Sequence, residues 1–124
     1  MAELYTPSVL VLPPVLLSLS GDARGPGAIL HADTHQVVSS SNPASAGDAL
    51  EIYLTGLMDA SVIPPQISIG GRAAEVLFFG KAAGFTALSQ VNIRVPSGIV
   101  PSPSVSVRLN YLARPSNEVT IAVR

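Results

Sequence analysis

A chain of 124 residues fits one domain, and 48% hydrophobic against 12% charged residues excludes the polar, highly charged composition of disordered proteins. The 7 basic residues stand singly along the chain against 8 acidic ones, so no concentrated positive patch for nucleic acid or an anionic membrane is present. The absence of cysteine excludes a disulfide framework, a thiolate zinc site and a cysteine nucleophile. We therefore expect packing alone to stabilise the fold.

The N-terminal region is apolar but does not have the pattern of a membrane span. Pro13-Pro14 separates Val9–Leu12 from Val15–Leu17, and neither run approaches the ~20 residues that a spanning helix needs. Glu3 stands where a signal peptide would carry a basic residue. We interpret the region as strand, kink and strand, with residues 1–12 a linker or an edge strand, and expect any export signal upstream of Met1.

The remainder of the chain is typical of strands, because 11 prolines and 10 glycines interrupt it before any apolar run reaches helix length. In four segments apolar residues alternate with polar ones, which is the period of a strand with one buried face. Turn residues at Ala113–Ser116 predict that the last two segments pair as an antiparallel hairpin. The predicted inward residues are Leu50, Ile52 and Leu54, then Val91, Ile93 and Val95, then Val105, Val107, Leu109 and Tyr111, and finally Val119, Ile121 and Val123.

Two further hairpins are predicted from turn chemistry. Gly70-Gly71 lies between two strand-like runs, and two glycines allow the positive φ angles of a two-residue turn. Leu30–Val38 predicts a hairpin that reverses near residues 32–34, and Ser39–Asp48 is interpreted as a connection over the edge of the fold. With about seven to nine strands and frequent turns, the chain is predicted to be a single all-β module over residues 1–124, an immunoglobulin-like antiparallel β-sandwich.

A series of short motifs runs through the chain, comprising Gly25–Asp33, Ser41–Ala44, Ala46–Asp48, Tyr53–Leu57, Ile67–Gly71, Ala74–Leu77, Gln90–Pro96 and Ser116–Ile121. This series resembles the uncharacterised Solibacter-type C-terminal domain family, which is found at the ends of large secreted proteins of soil bacteria. The likeness covers residues 13–124 and departs at His35-Gln36 and Gly80–Leu88. The resemblance implies a non-catalytic, extracellular β module, with no established ligand and no functional residues to transfer.

One segment could hold a metal. His31, Asp33 and His35 would share one face of an extended chain, and imidazole and carboxylate groups are zinc or copper ligands. If Asp33-Thr34 instead turn the chain, these side chains diverge and form a polar hairpin tip. We favour the hairpin tip and predict neither a metal nor another cofactor.

Catalytic patterns are also missing from the sequence. The acidic residues, Glu51 among them, fall in predicted turns or on exposed strand faces, unlike the paired carboxyl groups of a glycosidase. The sequence contains no G-x-S-x-G elbow, and Gly70-Gly71 lies between strands rather than ahead of a phosphate-binding helix. We predict that the chain is not an enzyme.

A binding role remains, and two versions of it stay open. The first is an accessory module of a larger secreted protein for domain docking, spacing or surface attachment, because a surface poor in charge predicts exposed apolar patches. The second is a carbohydrate-binding module that uses Tyr53, Phe85, Gln90, Asn92 and Arg94 as ligand-binding residues, with rings stacking on sugars and polar groups binding hydroxyls. The expected partners are neighbouring domains, a second copy or a polysaccharide, at an extracellular or cell-surface location, without nucleic acid or a membrane span.

Overall fold

The structure is a computed structural model that describes residues 14–56, 63–82, 84 and 88–124. These residues form nine strands and no helix, which confirms the predicted all-β class. No helix in the described ranges is long and apolar enough to cross a membrane. The predicted strand at Val9–Leu12 and the candidate Phe85 lie outside the described residues. The strands are β1 (Val15–Leu16), β2 (Ile29–His31), β3 (Ala49–Thr55), β4 (Gln66–Ile69), β5 (Arg72–Lys81), β6 (Ser89–Arg94), β7 (Ser102–Tyr111), β8 (Arg114–Pro115) and β9 (Val119–Val123).

The strands of the described residues join into one antiparallel sheet that nearly closes on itself. Its order is β1-β3-β6-β5-β4-β7-β8, with β2 also paired to β3 and β9 to β7. β5 is shared, because its residues 72–74 pair with β4 and its residues 75–81 pair with β6. Single parallel bridges from Pro26 to Thr120 and from Ala44 to Val123 bring β9 against early parts of the chain. These bridges bring the two ends of the sheet together around one core.

The core is formed by the side chains that the alternating pattern points inward. Every predicted inward residue belongs to the hydrophobic cluster, and none of them is more than 6% exposed. Phe79 packs against this cluster, whereas Phe78 is 47% exposed, because a bulge between Val76 and Phe78 resets which residues of β5 face inward. The alternation of apolar and polar residues therefore predicted correctly which side chains of β3, β6, β7 and β9 face the core.

Two hairpin turns have the same geometry but different chemistry. Gly70 and Gly71 adopt φ angles of 59° and 81° between the paired residues Ile69 and Arg72, which confirms the predicted turn. Leu112 and Ala113 adopt φ angles of 52° and 65° and reverse β7 into β8. The predicted antiparallel pairing of the last two segments is confirmed, because β7 pairs with β9, but the tight turn lies at Leu112-Ala113 rather than over Ala113–Ser116. The pairing of β8 back onto β7 requires a tight turn, which overrides the local preference of leucine and alanine.

The early hairpin is confirmed, whereas the connection after it is more than an edge loop. Residues 32–34 form the turn, and the Val38 amide donates to the Ile29 carbonyl oxygen at 2.9 Å. In the segment Ser39–Asp48, interpreted above as a surface connection, Ala44 is fully buried. Its amide donates to the Ala122 carbonyl oxygen at 2.9 Å. The segment is therefore part of the closure of the sheet.

Candidate functional site

The candidate site lies on the outer face of β3 and β6, opposite the core. These strands are neighbours, as the binding hypothesis required, and they pair Tyr53 with Gln90 and Glu51 with Asn92. Since successive side chains of a strand alternate between faces, burial of Ile52 and Val91 in the core places these four side chains on the other face.

A shallow depression of about 550 Å³ opens on this face. Its size falls within the range of small-ligand sites, roughly 300–1,000 Å³. Polar groups occupy one part of its wall, and aliphatic side chains from the N-terminal region, β2 and the approach to β6 form the rest. The lining residues are Leu17, Ala28, Leu30, His35, Glu51, Tyr53, Leu88 and Gln90.

Glu51 is the residue that sequence reasoning misjudged. It was predicted to lie on an exposed strand face, yet its side chain is only 8% exposed. Tyr53, two residues along β3, donates its hydroxyl to Oε1 of Glu51 at 3.2 Å, and Nδ1 of His35 donates to the same oxygen at 3.1 Å. Among the described residues, no donor reaches Oε2. The carboxylate is therefore fixed in the wall of the depression, and its Oε2 accepts no hydrogen bond from the part of the chain that the structure describes.

The position of Tyr53 beside Glu51 changes the pKa of its phenol. Burial raises the pKa of the Tyr53 phenol above its ordinary value, and the negative charge of Glu51 and the hydrogen bond to it raise the pKa further. The phenol therefore stays protonated and continues to donate to Glu51 under ordinary conditions.

His35 reaches Glu51 from an unusual backbone conformation. Its φ angle of 60° lies in the left-handed region that residues with a Cβ rarely adopt. The imidazole is 68% exposed, so burial of the ring does not account for this conformation. The His35 amide closes the turn by donating to the His31 carbonyl oxygen at 2.8 Å, and the ring of the same residue bonds to Glu51.

The remaining predicted ligand-binding residues divide into two groups. Nε2 of Gln90 donates to Oδ1 of Asn92 at 2.8 Å, so the two amides form a pair on the outer face. Arg94 lies beyond the depression, where its guanidinium contacts Glu75 at 3.4 Å and donates to the Gly47 carbonyl oxygen at 3.1 Å. Of these three predicted ligand-binding residues, Gln90 and Asn92 contact each other, whereas Arg94 contacts other groups.

An aromatic ring that the sequence did not single out also lies on this face. Phe78 pairs with Asn92, and a Cβ atom added to Gly80 would lie 3.2 Å from the Phe78 Cζ atom. The ring of Phe78 therefore lies across Gly80, next to Gln90, which pairs with that glycine. Sequence reasoning missed Phe78 because of the bulge in β5. A strict period of two would place Phe78 on the same face as Val76, whereas the bulge places it on the face of Asn92.

The histidines of the metal hypothesis are separated by the turn. His31 is buried and its Nε2 donates to the Asn42 carbonyl oxygen at 2.9 Å, whereas His35 contacts Glu51. Asp33 is exposed in the turn between them. In the part of the chain that the structure describes, no group of three or more histidine, aspartate or glutamate side chains is arranged to hold a metal.

Comparisons of this chain with protein-family models, with curated proteins and with solved structures found no match. The functional argument therefore depends on the residues of the outer face.

Proposed function

We propose that this chain is a non-catalytic accessory module of a larger secreted protein and that it docks a polypeptide partner on the outer face of β3 and β6. The observation that carries the proposal is the depression, in which aliphatic side chains surround a nearly buried carboxylate. Exposed apolar surface combined with a few fixed polar groups is typical of binding sites. Tyr53 and His35 hold Glu51 in place, so we assign this trio a binding role.

The finer fold assignment belongs to the same proposal. An immunoglobulin-like sandwich is supported by the shared strand β5, whose two parts pair with β4 and with β6. In such a sandwich the two groups of strands pack their inner faces together, and the outer faces are left for partners. The outer face of β3 and β6 is the one that carries the depression.

Chemical labelling of His35 tests the docking proposal. Its imidazole is 68% exposed, so diethyl pyrocarbonate should modify it in the isolated chain, while buried His31 serves as the internal control. In the parent protein, identified by gene context, we expect His35 to be protected. Tyr53→Ala should restore labelling by disturbing the docking face. Equal labelling of His35 in the isolated chain and in the parent protein would refute docking at this face.

Carbohydrate binding is the second candidate, and the two aromatic rings favour it. Tyr53 and Phe78 flank the paired amides of Gln90 and Asn92, and β3 and β5 are two strands apart, roughly 10 Å at the usual strand spacing. Each ring could stack on its own sugar while the amides bind hydroxyl groups.

Pull-down with cellulose, xylan, mannan and peptidoglycan, followed by calorimetric titration, tests this second candidate. Binding should be weakened by Tyr53→Ala, Phe78→Ala and Asn92→Ala. Leu112→Ala is the matched control, because Leu112 is exposed in the β7–β8 turn and does not line the depression. Absence of binding by the unmodified chain would exclude these four polysaccharides as ligands.

A further inference from the structure

We propose that the depression on the outer face binds a primary alkylammonium group, as carried by a lysine side chain of the docked polypeptide. This inference rests on the proposed docking function, because it names the chemistry that the docking face recognises. It is carried by the charge, the free acceptors and the aliphatic walls of the depression.

The charge argument begins with Glu51. Burying a carboxylate is unfavourable unless a cation or several hydrogen bonds compensate it. Among the described residues, the basic group that contacts Glu51 is His35, which is charged only when protonated and is itself largely exposed. Arg94 contacts Glu75 and Gly47 instead. Within the described ranges, the carboxylate of the depression therefore contacts a histidine but no arginine or lysine.

The free acceptors suit an ammonium group. The hydrogen bonds that Tyr53 and His35 donate to Glu51 both end on Oε1, so that, among the described residues, Oε2 remains an acceptor. Gln90 donates through Nε2 to Asn92, so its carbonyl oxygen is a second acceptor in the lining. An ammonium group offers three donors around a compact charge and could use both oxygens. The ring of Tyr53 in the same lining adds a surface that attracts cations.

The aliphatic walls suit the methylene stem of the same ligand. Leu17, Ala28, Leu30 and Leu88 line the rest of the depression. Alkyl stems of lysine side chains pack along apolar surface while their charged ends reach a polar group. A guanidinium fits less well, because it favours two free oxygens of one carboxylate and Oε1 of Glu51 already accepts two donors.

The test is a titration of the isolated chain followed by nuclear magnetic resonance of its leucine methyl groups. The probes are n-butylammonium and the N-acetyl methylamide of lysine, with n-butanol and butyrate as the neutral and anionic counterparts. We expect saturable shifts at Leu17, Leu30 and Leu88 with the two ammonium probes only. Tighter binding of the lysine derivative than of n-butylammonium would support a lysine side chain as the occupant, and equal or weaker binding would contradict that source. Equal shifts with n-butanol would overturn the proposal.

Substitutions test whether the Glu51 carboxylate is the group that binds the ammonium probe. Glu51→Gln keeps the shape of the side chain and removes its charge, so we expect affinity for n-butylammonium to fall about tenfold or more. Glu75→Gln is the matched control, since Glu75 is an exposed acid on β5 and does not line the depression. Unchanged affinity in Glu51→Gln would refute the inference.

A second variant keeps the test decisive if Glu51→Gln folds poorly. Leu88→Lys places a tethered ammonium group in the lining, and we expect it to abolish binding of n-butylammonium. Full binding in a folded Leu88→Lys chain would contradict the proposal.

The docking proposal and the ammonium proposal can fail separately. Protection of His35 in the parent protein without ammonium binding would refute only the ligand chemistry, whereas ammonium binding without protection would refute only the docking.

Discussion

The two faces of β3 differ in how they are buried. Leu50, Ile52 and Leu54 on the inner face are at most 1% exposed and contact other apolar side chains of the core. Glu51 on the outer face is 6% exposed as a whole residue, but its side chain accepts hydrogen bonds from Tyr53 and His35. Burial on the inner face requires only apolar volume, whereas burial on the outer face requires specific hydrogen-bonding partners. Substitutions on the two faces should therefore affect different properties.

The largest expected effect is on the inner face. Ile52→Ala should lower the free energy of unfolding by about 2–5 kcal/mol, because it removes apolar contacts and leaves a cavity. Thr55→Ala, a half-buried position on the outer face of the same strand, should change it by less than about 1 kcal/mol. Urea unfolding of both variants measures the difference. Equal losses in the free energy of unfolding would contradict the expected difference between the inner and outer faces of β3.

The glycine turn between β4 and β5 offers a second comparison, between a glycine close to apolar side chains and a glycine without near neighbours. A Cβ on Gly70 would lie 3.1 Å from Ile99 and 3.2 Å from Val105, whereas a Cβ on Gly71 would have nothing within 4 Å. Both glycines have positive φ, so valine is strained at either position. We expect Gly70→Val to destabilise the chain by about 1–3 kcal/mol and Gly71→Val by less. Thermal unfolding of the two variants gives the order, and the reverse order would place Gly70 away from the core.

Glu51→Gln should be recognised most clearly by a titration rather than by the free energy of unfolding. Loss of the Glu51 charge should lower the pKa of Tyr53, while burial keeps that pKa above its usual value of about 10. Spectrophotometric titration of the phenolate, with Tyr53→Phe to assign the signal, measures this change. An unchanged Tyr53 pKa would show that Glu51 does not act on the phenol.

The same pKa shift predicts how stability depends on pH. A phenol with a raised pKa in the folded state contributes stability that is fully present below its unfolded pKa of about 10. This contribution is lost as the pH rises through the folded pKa. The loss should therefore be smaller in Glu51→Gln than in the unmodified chain when unfolding is measured above pH 10.

The pattern of neighbouring residues in the sequence was sufficient to predict the core but not to predict the contacts of the candidate site. Alternation predicted the inner faces, and Gly70-Gly71 predicted a turn, because both signals lie within a few neighbouring residues. Glu51 lies between Leu30 and Asn92 of the neighbouring strands and bonds to His35 of another hairpin, and no local pattern contains those contacts. Tyr53 and Gln90 were correctly grouped on one face, and their pairing depends on β3 and β6 being neighbours.

Closure of the sheet has a consequence for when the chain can fold. β9, the last strand, exchanges backbone hydrogen bonds with early residues, since the Gly27 amide donates to Thr120 and the Thr120 amide donates to Gly25. Joining residues so distant in sequence is slow, because the long loop must be ordered before its contacts form. During synthesis, this edge of β7 lacks its β9 partner until Val119–Val123 emerge. The sheet can therefore close only after residues 119–123 have been made.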